Sequence, residues 1–143
     1  MKRILVPLDG SPRAPLVLAD AAKLAKLVGA KLVLFRAVTV SPDLPREAFV
    51  TAGSRLEEIL LGNAREDLHR LAERISPELV EKISVTFATP WDGICRAAKE
   101  SEADLIVIGS HGYGGLDRLL GTTAAKIVNH APCSVLVVRP PRA

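Results

Sequence analysis

A glycine-rich stretch between residues 109 and 123 holds the residues of this chain that are best suited to bind a ligand. Four glycines fall within residues 109–115, and Gly121 is followed directly by Thr122 and Thr123. Glycine lets a backbone approach a ligand closely, and successive N–H groups at the start of a helix attract anions. Because an apolar run precedes the stretch and a helical pattern follows it, the sequence predicts a phosphate-binding loop, most simply one for a nucleotide.

Known glycine fingerprints do not decide between this interpretation and a simpler one. The stretch has no Gly-Lys-Ser or Gly-Lys-Thr, which excludes a Walker A loop, and Asp117 stands where the dinucleotide fingerprint needs its third glycine. Spacing alone therefore leaves two alternatives open. Either the loop binds phosphate, or its glycines only relieve crowding in a connection between a strand and a helix.

Asp9 follows the first apolar run and is another residue with binding chemistry. Its carboxylate could hold a ribose hydroxyl or a magnesium ion, or it could close an Asx turn, which the residues alone favour slightly. Ser110 and His111 are adjacent and G-x-S-x-G is absent, so they do not indicate a hydrolytic triad with Asp117. We predict that His111 offers its backbone or ring to a ligand and that no residue is catalytic.

Other reactive or aromatic side chains favour structural roles. His130 and Cys133 lack the two further ligands that a structural zinc site needs, and a histidine suits the C-terminal end of a helix. Trp91, the only tryptophan, lies at the start of a short helical pattern, and we expect it to pack in the core.

Strand and helix patterns alternate along the chain. The predicted helices lie near 12–28, with Ser11 as N-cap, and near 48–75, 90–100 and 124–130, and the predicted strands are 3–8, 31–38, 82–87, 104–108 and 133–139. This order predicts an α/β fold, a Rossmann-like open parallel five-stranded sheet with helices on both faces. In the strand order 3-2-1-4-5, the winding reverses between the first and fourth strands, so that Asp9 and Gly109 meet where ligands bind.

Composition bounds the class of protein. The residues 1–143 suit a single domain with an aliphatic core, since 48% are hydrophobic and only 3% aromatic. The formal charge of +3 is scattered without a run of five like charges, so we expect no nucleic-acid partner. No apolar run has the length of a membrane span, no signal-peptide pattern occurs, and the two cysteines fit no disulfide framework. We therefore expect a cytoplasmic protein without a membrane partner.

Four segments of the chain together resemble the universal stress protein family. They are residues 4–11, 108–112, 119–123 and 130–139. The resemblance covers the whole chain and is most specific in its C-terminal third. It implies the Rossmann-like fold of the adenine nucleotide α-hydrolase type and a cytoplasmic stress-response protein, which in this family is usually a homodimer.

The resemblance also implies a ligand and the residues that hold it. Many members bind ATP through the pattern G-x2-G-x9-G-(S/T). Carried over, Gly109 and Gly112 would line the α- and β-phosphates, and Gly121 with Thr122 would hold the γ-phosphate end. The implied site comprises Pro7, Leu8, Asp9, Val38, Val40, Gly109, Ser110, His111, Gly112, Gly121, Thr122 and Thr123.

Within that set, the resemblance implies the roles of two further positions. Asp9 matches an acidic residue near the ribose and Mg²⁺, and either Val38 or Val40 matches the backbone position that recognises adenine. The sequence does not choose between the two valines. Nor does it choose between ATP and the alternatives AMP and ADP.

The chain departs from the family pattern in one respect. Eight residues, not nine, separate Gly112 from Gly121. The resemblance still implies an ATP-binding stress-response module that acts as a homodimer with little or no catalysis. The alternatives are a nucleotide-free structural or interaction protein and a slow ATPase. We predict that the dimer forms through the last strand, residues 134–138, because this apolar edge carries no charge before Arg139.

Overall fold

A computed structural model describes residues 1–39, 46–110 and 120–141, and for residues 46–54 it describes the backbone. The elements follow one another in the predicted alternation. They are β1 (Arg3–Pro7), α1 (Ala14–Val28), β2 (Lys31–Val38), α2 (Arg46–Ala72), a 3₁₀ helix (Pro77–Leu79), β3 (Val80–Phe87), α3 (Pro90–Glu100), β4 (Leu105–Gly109), α4 (Thr122–His130) and β5 (Ser134–Val138).

The strands form one parallel sheet in the order β3-β2-β1-β4-β5. The predicted fold class and strand order are therefore confirmed. β1 lies in the centre, paired with β2 on one side and with β4 on the other, where Ile4 faces Leu105. Because the winding reverses between β1 and β4, the carboxyl ends of these two strands border a natural crevice.

Aliphatic side chains pack on both faces of this sheet. On one face, α1 and α2 bury Leu18 and Leu68 against strand residues such as Leu34. On the other face, α3 and α4 cover Phe35 and Ile106. Strands that are buried on both faces must be apolar almost throughout, which explains the unbroken apolar runs in the sequence.

The connection from β1 to α1 differs from the prediction. Ser11 was expected to cap the first helix, but α1 begins after Arg13, and no side chain caps it. Asp9 Oδ1 accepts the Ser11 N–H at 3.0 Å, and Ser11 Oγ accepts the Arg13 N–H at 3.3 Å. These two bonds form a turn before the helix. Ser11 therefore lies two residues before Arg13, the N-cap position, and does not cap the helix. At the other end, Gly29 ends α1 as predicted, with a φ of 73°.

The second helix begins two residues earlier, at Arg46, and ends three residues earlier than predicted. α2 ends at Ala72 instead of residue 75. Beyond it, the N–H groups of Arg74 and Ile75 donate to the carbonyls of Leu71 and Ala72 at 3.0 and 3.2 Å. These bonds span three residues, as at many tightened helix ends. The 3₁₀ helix that follows was not predicted, and β3 consequently begins at Val80 rather than at residue 82.

Asp104 fastens the start of β1 to the start of β4. Its Oδ2 accepts the Arg3 N–H at 3.0 Å and the Lys2 N–H at 2.6 Å, and these bonds hold the pKa of the carboxyl below its usual range. A lowered pKa stabilises the folded state above the ordinary aspartate pKa of about 3.9, and this contribution is lost as the pH falls through the lower folded value.

We therefore expect Asp104→Asn to lower the free energy of unfolding at pH 7 and to change it little at the acid end. Urea unfolding of both proteins at a series of pH values measures this difference. Asp20→Asn on α1 is the control, for which we expect no comparable loss at pH 7. A gap between wild type and Asp104→Asn that stays constant down to about pH 2 would contradict the role given to the carboxylate.

None of the helices in the described part of the chain combines the length and the apolar character needed to span a lipid bilayer.

Candidate functional site

A cleft of about 340 Å³ opens at the carboxyl ends of β1 and β4. Its walls come from the turn after β1, the ends of β2 and β4, and the first residues of α3 and α4. Pockets for small molecules typically measure roughly 300–1,000 Å³. The cleft therefore has the size of a ligand site and lies where the topology predicts one.

The structure brings most of the predicted site residues to this cleft. Those that line it are Pro7, Leu8, Asp9, Gly109, Gly121, Thr122 and Thr123. Ser110 follows β4 but does not line the cleft. It is 2% exposed, and its N–H donates to the Val138 carbonyl at 3.1 Å. At the end of β2, Ala37 lines the cleft, and the Val38 carbonyl accepts the Ala88 N–H at 3.2 Å. Val40, His111 and Gly112 lie outside the described residues.

The start of α4 forms one wall of the cleft. The helix begins at Thr122, two residues earlier than predicted, so the two threonines are helical residues rather than part of the loop. Gly121 precedes it, and no side chain caps the helix. The Gly121 N–H donates to the Ser110 carbonyl at 3.4 Å, which joins the end of β4 to the helix start. The backbone N–H groups of an uncapped first turn favour a bound anion.

Gly109 ends β4 close to α1. A Cβ atom at this position would stand 3.1 Å from Cγ2 of Val17, a buried residue of α1. That separation is shorter than an ordinary contact between carbon atoms. Glycine at this position therefore keeps α1 close to β4 and keeps side-chain atoms out of the cleft wall.

Asp9 lies at the cleft in an exposed turn. Its Oδ1 accepts the Ser11 N–H, so Asp9 does close the Asx turn that the residues favoured. A turn role does not prevent the carboxylate from facing a ligand hydroxyl or a hydrated cation. Within the described ranges, no group of three His, Cys, Asp or Glu side chains could hold a metal ion. A Mg²⁺ ion that arrived with a phosphate ligand would take oxygen ligands from the phosphates, as Mg²⁺ often does, and the Asp9 carboxylate would be one candidate protein ligand.

Arg36 is a cleft residue that sequence reasoning missed. Its side chain is only 13% exposed, and it binds the carbonyls of Leu8 and Asp9 and the carboxylate of Asp67 on α2. Asp67 also accepts a bond from Arg70 at 2.5 Å, and the two arginines lower the pKa of that carboxyl. A signal was available, since an arginine inside an otherwise apolar strand must find polar partners.

The remaining candidates lie away from the cleft. His130 is the last residue of α4, as predicted, and its ring centroid lies 4.9 Å from that of Trp91. Trp91 packs half-buried against the core beneath α3 and α4, which confirms its structural role. Cys133 and Cys95 are half-buried free cysteines, and burial raises the pKa of each thiol.

Comparison with protein families gives one match over nearly the whole chain. The family model described as the universal stress protein family matches residues 1–139. A universal stress protein of Methanocaldococcus jannaschii is 33% identical to this chain over an alignment of 146 positions. The alignment covers 99% of this chain and 84% of the relative.

Solved structures share the fold. UspA from Lactobacillus plantarum superimposes with a TM-score of 0.76 at 28% identity, covering 96% of this chain and 97% of that one. A universal stress protein in complex with cAMP gives 0.69 at 22% identity, with 98% of both chains covered. The Archaeoglobus fulgidus universal stress protein in complex with dAMP gives 0.60 at 22% identity, with 97% and 98% covered.

Proposed function

This chain belongs to the universal stress protein family, and from that premise we propose that it binds an adenine nucleotide in the cleft between the ends of β1 and β4. One observation carries the proposal: the uncapped start of α4, the glycine end of β4 and the Asp9 turn line the same cleft of about 340 Å³. The cleft thus pairs an anion-binding wall with a carboxylate wall, which suits the phosphate and ribose ends of a nucleotide. The complexes of two related folds with cAMP and dAMP support this ligand class.

The nucleotide is oriented by the chemistry of the two walls. Its phosphates lie along Gly109, Gly121 and Thr122, with Gly112 completing the glycine pattern, and Mg²⁺ binds through them and Asp9. The adenine lies towards the end of β2. Val38, the last residue of β2, or Val40, two residues beyond it, would recognise the adenine by its backbone. ATP is the proposed ligand, and AMP and ADP are the alternatives.

We propose that the protein acts in the cytoplasm by binding rather than by turnover, as a homodimer formed through β5. Strand β5 is at the edge of the sheet. Val135 and Val137 pack against the core beneath α3 and α4, whereas Leu136 on the opposite face is 43% exposed. An apolar edge strand of this kind is normally covered, and the same strand of a second copy would cover it.

Nucleotide content and affinity test the proposed ligand directly. Freshly purified protein is denatured with acid, the released nucleotide is identified by mass, and the emptied protein is titrated with ATP and Mg²⁺. We expect saturable binding of about one nucleotide per chain with a Kd in the micromolar range, which corresponds to a binding free energy of about −8 kcal/mol. An empty protein that also fails to bind ATP, ADP or AMP would contradict the proposal. It would favour the nucleotide-free interaction protein that the eight-residue spacing after Gly112 also allows.

A further inference from the structure

The guanidinium of Arg36 extends the pairing of β1 and β2 beyond the point where the backbone ladder stops. The last backbone bond between these strands at this end runs from the Leu8 N–H to the Phe35 carbonyl at 2.8 Å. Beyond it, Arg36 Nε donates to the Leu8 carbonyl at 2.7 Å and Nη2 donates to the Asp9 carbonyl at 3.1 Å. A side chain of β2 thus holds two consecutive carbonyls of the chain that leaves β1.

The third bond of Arg36 reaches a different element. Its Nη1 donates to Oδ2 of Asp67 on α2 at 3.1 Å. Asp67 is fixed in turn by Arg70, three residues further along the same helix. The β1 turn, the end of β2 and the C-terminal half of α2 therefore meet at one nearly buried guanidinium.

Asp9 is held at two points by these contacts. Its backbone carbonyl is bound by Arg36, and its Oδ1 accepts the Ser11 N–H. A carboxylate on an exposed turn can adopt many orientations, and each contact that fixes it reduces the entropy lost when a ligand binds. Arg36 can therefore increase the affinity for a ligand by holding Asp9 in place, without touching the ligand itself.

We propose that Arg36 is a positioning residue of the nucleotide site, which fixes the Asp9 turn and links it to α2 through Asp67. The inference rests on the proposed function, since it names how that site is kept in its binding geometry. Arginine is required because a planar fork can serve two carbonyls and a carboxylate at once, whereas lysine presents a single ammonium group.

Two substitutions separate positioning from charge. Arg36→Met removes the fork and the charge, and Arg36→Lys keeps the charge without the fork. We expect both to raise the Kd for ATP with Mg²⁺ by about tenfold or more, as the loss of charged hydrogen bonds would. Wild-type affinity in Arg36→Lys would overturn the positioning role, because the charge alone would then suffice.

Two control variants exclude a general loss of stability. Arg70→Met removes the other arginine on Asp67 but leaves both carbonyl bonds of Arg36, and Leu79→Ala destabilises a buried position in the 3₁₀ helix. We expect both to bind ATP within about twofold of wild type when measured well below their melting temperatures. If Leu79→Ala, matched to Arg36→Met in free energy of unfolding, weakened binding as strongly, the proposal would be overturned.

A measurement on the nucleotide-free protein keeps this inference separate from the proposed function. Backbone order parameters from NMR report the rigidity of Asp9 and Gly10 directly. We expect them to fall in Arg36→Met from about 0.85 towards 0.6, and to stay unchanged in Leu79→Ala. Unchanged order in Arg36→Met would overturn the inference, whereas a wild type that binds no nucleotide would contradict only the proposed function.

Discussion

Replacing Gly109 with valine is expected to abolish saturable nucleotide binding while leaving a folded protein. The Cβ that any substitution adds would lie 3.1 Å from Val17 Cγ2, and the two methyl groups of valine would have to displace α1 or enter the cleft. Either movement removes the close approach of β4 that the proposed phosphate wall needs. Overpacking of this kind costs about 1–3 kcal/mol of stability. Calorimetric titration with ATP and Mg²⁺, beside thermal unfolding, measures both effects.

Gly10 provides a matched control for this substitution. It lies next to Asp9 on an exposed turn, and a Cβ there would have no neighbour within 4 Å. We expect Gly10→Val, the same change of residue type, to bind ATP as wild type does. If Gly109→Val also bound like wild type in a folded state, the assignment of this wall to phosphate would be wrong.

A pair of substitutions that compensate each other distinguishes displacement of α1 from obstruction of the cleft as the cause of the lost affinity. Gly109→Ala adds only the Cβ, and Val17→Ala removes the methyl group that this Cβ would touch. If α1 is displaced in the single variant, the double variant regains affinity relative to Gly109→Ala, which a double-mutant cycle measures as a coupling energy. Additive effects would instead mean that the added atom acts by entering the cleft.

The sequence is sufficient to predict the sheet and the place of the cleft. Short apolar runs such as 105–108, separated by helical patterns, leave a parallel sheet covered on both faces as the only simple arrangement. The reversal of winding between β1 and β4 then brings Asp9 and Gly109 to one edge. The prediction of the sheet and that of the cleft both depend on hydrophobic periodicity and on the rules for connecting strands. These patterns extend over the whole chain, so an error of a few residues at the end of one element does not change the predicted fold.

Helix starts were harder to predict because they depend on competing hydrogen bonds. Ser11 before a proline is typical of an N-cap, but Asp9 takes the Ser11 N–H into a turn and the helix begins later. Thr122 looked like part of a glycine loop, yet the bond from Gly121 to Ser110 sets the first turn of α4 there. In both places the observed helix start accompanies a hydrogen bond to a residue outside the helix.

The role of Arg36 could not be predicted because its partners are distant in sequence. The Leu8 and Asp9 carbonyls and the Asp67 carboxylate lie 27 to 31 residues away, and a backbone carbonyl has no sequence signature. The only sign of this role in the sequence is that Arg36 is a charged residue near the end of a buried strand. Such a residue must be satisfied at the carboxyl edge of the sheet, where ligands also bind.

Replacing Leu136 with lysine is expected to convert the proposed homodimer into a monomer. Leu136 lies on the edge strand β5 with 43% of its surface exposed, on the face opposite Val135 and Val137. In a dimer paired through β5, a two-fold axis would bring the two copies of this side chain near each other, so that one substitution introduces two like charges at the interface. Lysine on an edge strand is also a common means of preventing strand pairing.

Sedimentation at several protein concentrations measures the change in Leu136→Lys. Leu27→Lys is the control, because Leu27 is 79% exposed near the end of α1 and undergoes the same change of chemistry away from β5. We expect the control to remain dimeric and both variants to keep the wild-type melting profile at low concentration, since neither leucine is buried. If Leu136→Lys also remained a dimer, the interface would lie elsewhere and the exposed edge of β5 would need another cover. A monomeric Leu136→Lys that still binds ATP would further establish that each chain holds a complete site.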